Sequence, residues 1–143
     1  MMANSGKQLI ILSNKKIRKA IRLFNTNRNE CIIKYGNIGD WNVSTVTDMS
    51  QLFAGNKLFN EDISNWDVSN VTNMYTMFYN CSNFNQDISG WNIGKVTDMR
   101  RMFCNARLFN GNISNWDVSE VTVMGQIFHF TTLIENDIFV LKP

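Results

Sequence analysis

Proline and histidine occur once each in this chain, as Pro143 and His129, and no CxxC pair is present. A zinc site usually needs several histidine or cysteine ligands, so we expect no metal site and no cofactor. Cys31, Cys81 and Cys104 are odd in number, and we interpret them as reduced thiols that pack in the core. GxSxG, GxxxxGK[ST], GxGxxG and HExxH motifs are also missing. We therefore expect no enzyme activity, and we interpret His129 as a packing or surface residue.

Long apolar runs are missing as well. No stretch approaches eighteen consecutive apolar residues, so no transmembrane segment is indicated. The first residues, MMANSGKQLIIL, place one lysine before only four apolar residues, and they lack the apolar region and cleavage site of a secretory signal. No lipidation motif is seen. Localisation stays open, with an intracellular or virion-associated protein favoured over a secreted one.

Charge is unevenly distributed, although the net charge is only +2. Residues 1–40 carry eight lysines and arginines against two acids, whereas residues 41–143 carry six against ten. The basic cluster near the N-terminus consists of Lys15, Lys16, Arg18, Lys19, Arg22 and Arg28. Because this cluster has no interleaved aromatic residues, we favour a solvated helix face beside an acidic body over nucleic-acid binding.

What the chain does contain is a repeat with a period of 25 residues. Its first position holds the four tryptophans, Trp41, Trp66, Trp91 and Trp116. Six further columns hold Val or Ile, Val, Thr, Met, Phe and Ile in all four copies, without insertion or deletion. A short fixed period predicts units that stack and bury a shared core, because one unit is too small to bury its own apolar face.

The apolar spacing within a unit predicts a strand followed by a helix. Ile63, Trp66, Val68 and Val71 are separated by steps of three, two and three, as in the leucine-rich repeat. The step of two predicts a short strand with Trp66 and Val68 pointing inward. The next letters, VTNMYTMF, have apolar residues at helical spacing, and Thr72 is a candidate N-cap. The residue at the position of Gly55 and its copies, such as Asn80, suits the exit turn.

These elements predict an α/β repeat fold, a short right-handed leucine-rich-repeat-like solenoid. Its four β/α units are residues 41–65, 66–90, 91–115 and 116–140, which we name units 1 to 4. Residues 1–40 are expected to cap unit 1 with a strand at residues 9–12 and an amphipathic helix that Ser13 caps. The apolar face of that helix holds Ile17, Ala20, Ile21 and Phe24.

Polar residues recur with the same period. The acidic columns contain Asp62, Asp67, Asp87 and Asp117. Asparagine stands at equivalent places, namely Asn42, Asn92 and Asn112, which indicates turn and backbone hydrogen bonds rather than a calcium site. A further column, made of Asn60, Asn85 and Asn110, is predicted to satisfy backbone groups of the loops.

The stretch WDVSNVTNMYTMFYNCSNFNQDIS resembles the BspA-type repeat, a leucine-rich-repeat variant found in surface proteins. The likeness covers residues 38–140. This resemblance implies membership of a family that is spread among bacterial surface lipoproteins and adhesins, protists and large DNA viruses. No catalytic residues are attributed to its repeat. Two departures, the missing export signal and the short array of four units, favour a small interaction protein over an adhesin.

Three functions follow as hypotheses. The first is a non-enzymatic protein-interaction module whose exposed strand face binds an unidentified protein. The candidate contacts are Asn42, Ser44, Asn65, Asp67, Ser69, Asn92, Asn115, Asp117 and Ser119. The second is a structural component of a virion or surface layer that self-associates through an apolar C-terminal edge formed by Val123, Phe130 and Phe139. The third and least favoured is nucleic-acid binding through the basic helix.

Overall fold

The computed structural model describes residues 10–132, and in that range it contains two α-helices and no β-sheet. Helix α1 spans Asn14–Thr26 and helix α2 spans Arg28–Tyr35, and a 3₁₀ helix follows at Ile38–Asp40. The repeats consist of turns joined by isolated parallel β-bridges at Asp48, Asn73, Asp98 and Val123. Between residues 10 and 132, no helix reaches the length and apolarity that crossing a bilayer would require.

The predicted β/α units, and with them the leucine-rich-repeat-like solenoid, are wrong. Trp66 and Val68 are buried as expected, but they belong to no strand, and the residues after Thr72 form turns rather than a helix. An α-helix requires each N–H group to bond to the carbonyl four residues earlier. Here the N–H group of Met49 donates instead to Asn73, in the next unit. The apolar spacing that predicted a helix therefore arises from successive turns.

The same backbone hydrogen bonds join neighbouring units at each of the three junctions within residues 41–132. At every junction, four alternate N–H groups donate to carbonyls 24 residues further along the chain, at N···O distances of 2.7–3.1 Å. In unit 1 these donors are Met49, Gln51, Phe53 and Gly55. Thr72 donates both its N–H and its hydroxyl to the carbonyl of Thr47. Thr72 is thus a junction residue and not the helix N-cap that the sequence predicted.

The intervening N–H groups close turns within the unit. In unit 1 the N–H of Leu52 donates to the Met49 carbonyl three positions earlier, and the N–H of Ser50 donates to the Asp48 side chain. Two positions of the unit have positive φ, a region that residues other than glycine rarely adopt. The first holds Gln51, Thr76, Arg101 and Gln126, with φ between 51° and 58°. The second holds Gly55, Asn80, Asn105 and Phe130, with φ between 59° and 80°. Gly55 and Asn80 are therefore turn residues, as predicted, although no helix ends there.

The core is built from columns of aromatic side chains. One column stacks with ring centroids 5.5–5.7 Å apart and consists of Phe53, Phe78, Phe103 and Phe128. A second column lies against it, with paired rings 3.9–4.0 Å apart, and consists of Phe59, Phe84 and Phe109. Burial of each such ring contributes about 1.5–3 kcal/mol. The indole N–H groups of Trp66, Trp91 and Trp116 each donate to the carbonyl of the isoleucine 28 residues earlier in the chain, at 2.8–3.2 Å.

Helix α1 forms where the sequence predicts it. The Ser13 hydroxyl accepts the N–H of Lys16, which confirms the predicted N-cap, and the apolar face is buried at Ile17, Ala20, Ile21 and Phe24. The predicted strand before it is wrong, because Ile11 makes a single bridge to Asn42. Residue 9, the first of that predicted strand, lies outside the described residues.

Side chains of α1 replace the hydrogen bonds that a preceding unit would supply to unit 1. The Asn14 Oδ1 atom accepts the N–H groups of Thr47 and Asp48, at 2.9 and 3.3 Å. The equivalent groups of unit 2 bond to a threonine carbonyl of unit 1. Arg18 donates to the carbonyls of Ser50 and Asp48, at 2.8 and 3.5 Å, where later units receive backbone N–H groups. The helix therefore satisfies the first edge of the stack through polar contacts as well as apolar packing.

Substitution Arg18→Ala should lower the free energy of unfolding by about 2 kcal/mol, because two carbonyls lose a charged hydrogen-bond donor. Arg22→Ala removes the same charge from an exposed position of the same helix, so it should change stability by no more than about 0.5 kcal/mol. Urea denaturation of both variants measures the difference. Equal destabilisation by the two substitutions would show that Arg18 has no special role at this edge.

Substitution Phe130→Asn should stabilise the protein by about 1 kcal/mol, because Phe130 holds a positive φ of 60° that Asn80 and Asn105 adopt in the same column. Phe130 is also 69% exposed, so little packing is lost. Leu108→Asn is the matched control, since Leu108 is 54% exposed and has no positive φ. Thermal unfolding should show a higher midpoint for Phe130→Asn alone. A lower midpoint would contradict the claim that the backbone at Phe130 is strained.

Candidate binding surfaces

The candidate contacts predicted on a strand face lie instead on a series of turns, which we call the turn face. It comprises the nine predicted residues together with Asp62, Asp87 and Asn112. Asp67 is exposed between buried Trp66 and Val68, so the predicted alternation is correct even though no strand is present. Within the nine, Asn42, Ser44 and Ser69 are half-buried and the others are exposed.

Seven acidic or amide side chains of the turn face close their own turns, namely Asn42, Asp62, Asp67, Asp87, Asn92, Asn112 and Asp117. The Asp67 Oδ1 atom accepts the N–H of Ser69 at 3.0 Å and its hydroxyl at 2.6 Å. The same pair of bonds recurs between Asp62 and Ser64. The amide oxygen of Asn112 accepts an equivalent pair of bonds, although asparagine carries no charge. This confirms the predicted turn role of the Asp/Asn columns. The Asn60 column also behaves as predicted, since the Asn60 and Asn85 side chains accept N–H groups one unit further along.

These bonds keep the turn face negatively charged. The serine hydroxyl, and after it the serine N–H, lowers the pKa of Asp67 below its ordinary value, because both groups stabilise the ionised carboxylate. The pKa values of Asp62, Asp87 and Asp117 are lowered for the same reasons, in the same order. Lys95 also lowers the pKa of Asp67, and its ammonium group bonds to the Asn70 side chain at 2.8 Å.

A second surface, which the sequence did not point to, is an open groove of about 340 Å³ lined by Tyr75, Arg100, Arg101, Gly125 and Gln126. The Arg100 guanidinium lies 5.1 Å from the centre of the Tyr75 ring and pairs with Asp98 at 2.6 Å. The Arg100 side chain holds the pKa of Asp98 below its usual range. Arg101 donates to the Gln126 side chain. The signal available in the sequence was variation at these repeat positions, since the groove residues differ from unit to unit.

The structure divides the predicted basic cluster into two groups. Arg18 and Arg28 serve the fold, because Arg18 caps unit 1 and pairs with Asp48, while Arg28 pairs with Glu61 at 2.8 Å and lies over the Phe24 ring. The other members are exposed on α1, namely Lys15, Lys16, Lys19 and Arg22.

The predicted apolar edge is described only in part. Val123 is 38% exposed and Phe130 is 69% exposed, whereas Phe139 lies outside the described residues. His129 is exposed and its ring lies 3.9 Å from that of Phe130, which agrees with a surface role. In the part of the chain that the structure describes, no His, Cys, Asp and Glu side chains are grouped as metal ligands would be.

All three cysteines are free and buried, which confirms that they pack in the core. Burial raises the pKa of Cys81 to about 12, and its thiol donates to the Phe53 carbonyl at 3.0 Å. The Cys81 thiolate is therefore almost absent at neutral pH, and this thiol is a poor nucleophile.

The double substitution Asp62→Asn with Asp87→Asn should reduce the loss of stability in acid. A lowered folded-state pKa stabilises the protein above the ordinary aspartate pKa of about 3.9, and that stabilisation is lost as pH falls through the folded-state values. Asparagine closes the same turn at Asn112 without titrating, so neutral-pH stability should change little. Thermal midpoints between neutral pH and about pH 2 measure this, and an unchanged pH profile would contradict the carboxylate role.

Comparison with known proteins agrees with the extent of the repeats. A family model described as "Mycoplasma protein of unknown function, DUF285" matches residues 16–140, which include most of α1 and all four units. No curated protein matches the chain, and no solved structure does. Because the family match extends over most of the chain, this protein belongs to the DUF285 family.

Proposed function

We propose that the chain is a non-enzymatic binding module that contacts a protein partner through its turn face. The observation that carries this proposal is the repeated Asp–Ser turn, in which side-chain bonds of 2.6–2.7 Å hold the carboxylates in place. Side chains that are already ordered lose less conformational freedom on binding, so such an array suits recognition of a complementary surface. The resemblance to BspA-type surface repeats agrees with an interaction role.

Specificity in this proposal comes from the positions that differ between units. Tyr75 and Arg100 are residue types that often anchor protein interfaces, and they line the groove formed by units 2 to 4. Lys95 and Glu120 occupy the same repeat position with opposite charge, so the charge next to the turn-face residues differs from one unit to the next. The buried columns are nearly constant because they stack, and this leaves the exposed positions free to match a partner.

The substitutions Asp67→Asn and Asp117→Asn test the proposal together, because they remove two charges and keep both turns, as Asn42 and Asn92 do. Capture of a partner from the native source should weaken roughly fivefold, since exposed ion pairs contribute up to about 1 kcal/mol each. The control is Asn83→Lys with Gln51→Lys, which changes net charge equally at two exposed positions outside the turn face and the groove, and Gln51 has the positive φ of its column. Arginine at position 101 shows that a long basic side chain fits that backbone conformation. Equal capture by both variants and the parent chain would refute the proposal.

A second candidate function is assembly through the C-terminal edge, favoured by the exposure of Val123 and Phe130. At the position of Val123 the other units hold Asp48, Asn73 or Asp98, so unit 4 alone presents an apolar side chain there. Association of this kind should persist at high salt and be lost in Phe130→Ser, as sedimentation would measure.

A further inference from the structure

The exposed basic residues of α1 form a stripe opposite the face that packs on unit 1. Lys15, Lys19 and Arg22 are spaced at i, i+4 and i+7, so they lie on one side of the helix, and we call them the basic stripe. None of the three makes an ion pair with a residue in the range 10–132. Like charges at this spacing repel one another and destabilise the helix slightly, so the stripe does not serve the fold of α1.

The complementary charge is on the turn face, and the fold does not bring the two together. Within residues 10–132, the only ion pairs between the N-terminal segment and the repeats are those of Arg18 and Arg28, and neither uses a turn-face carboxylate. Asp62, Asp67, Asp87 and Asp117 bond to their own serines and have no basic partner in this range within ion-pair distance. One molecule thus presents two exposed surfaces of opposite charge.

The spacing of the two surfaces also agrees. Lys15 and Arg22 are seven residues apart, which is about 10 Å along a helix. Asp67 and Asp117 are two units apart, which is about 10 Å at the usual separation of paired chains. Lys19 would then lie between them, near the side chains of unit 3. A helix placed along the stack could therefore bring its basic side chains to the acidic column.

We propose that the basic stripe of one copy docks on the turn face of a second copy. This rests on the proposed function, because it names the partner of the turn face. The two surfaces differ, so the contact is heterologous, and repetition from copy to copy would extend the assembly. Lys95 lies near Asp67 and opposes the contact, so the association is weak and sensitive to salt. A nucleic acid could pair with the stripe as well, but it leaves the acidic turn face without a role.

Sedimentation of the purified full chain, cleared of nucleic acid, tests this contact. Association should grow with protein concentration at low ionic strength and disappear near about 0.15 M salt, where the screening length falls to about 8 Å. Lys19→Glu with Arg22→Glu should abolish it, and so should Asp67→Lys with Asp117→Lys. An equal mixture of these two variants should associate again, because each supplies the surface that the other has reversed. The control, Lys34→Glu with Lys57→Glu, changes net charge as much as the stripe variant and should associate like the parent chain.

Several results would overturn the proposal. These are a monomer at every concentration in low salt, a mixture that fails to associate, and a control that loses association as the stripe variant does. Association that survives high salt and is lost in Phe130→Ser would assign it to the apolar edge, and association lost on nuclease treatment would assign it to nucleic acid. If self-association fails while Asp67→Asn with Asp117→Asn still weakens capture of another protein, the proposed function stands and only the identity of the partner is wrong.

Discussion

The hydrogen bonds between neighbouring units are the constraint on which the rest of this structure depends. Four alternate N–H groups in each of units 1 to 3 donate to carbonyls in the next unit, and the N–H groups between them close turns within the unit. In this pattern no N–H group is free to make the α-helical bond, which joins residues four positions apart within one unit. The repeat length must then stay constant, because one inserted residue would exchange the donors that face the next unit with those that face inward.

The composition of the columns follows from this constraint. Residues with positive φ recur at two positions of the unit, where the chain must turn without breaking the junctions. Aspartate and asparagine close the turns on the outside, and the stacked phenylalanines fill the inside. The first edge has no preceding unit, and α1 compensates with the side chains of Asn14 and Arg18. The function we propose uses what remains, namely the exposed residues that neither stack nor bond across a junction.

Sequence reasoning succeeded for features that depend on residues close in the chain or on the period itself. The helix after Ser13, its buried face and the turn role of the Asp/Asn columns were all predictable, because each depends on local spacing and side-chain chemistry. The strand and helix within the unit were predicted wrongly, because apolar spacings of two and three fit turns as well as regular elements. The groove of Tyr75 and Arg100 was missed, since its residues come from different units and only stacking makes them neighbours.

The sequence by itself determined the period, the buried columns and the separation of basic and acidic charge, because these are properties of residue order. It also determined that Asp67 and its equivalents in the other units lie outside the core, since they alternate with the buried Trp and Val columns. Only the tertiary structure decided where the backbone N–H groups bond, and with that whether the units are helices, strands or turns. The physical reason is that these partners lie 24 residues away, beyond the reach of any local pattern. The tertiary structure also decided which basic residues the fold uses and which it leaves exposed, because that depends on the surface of unit 1 against which α1 packs.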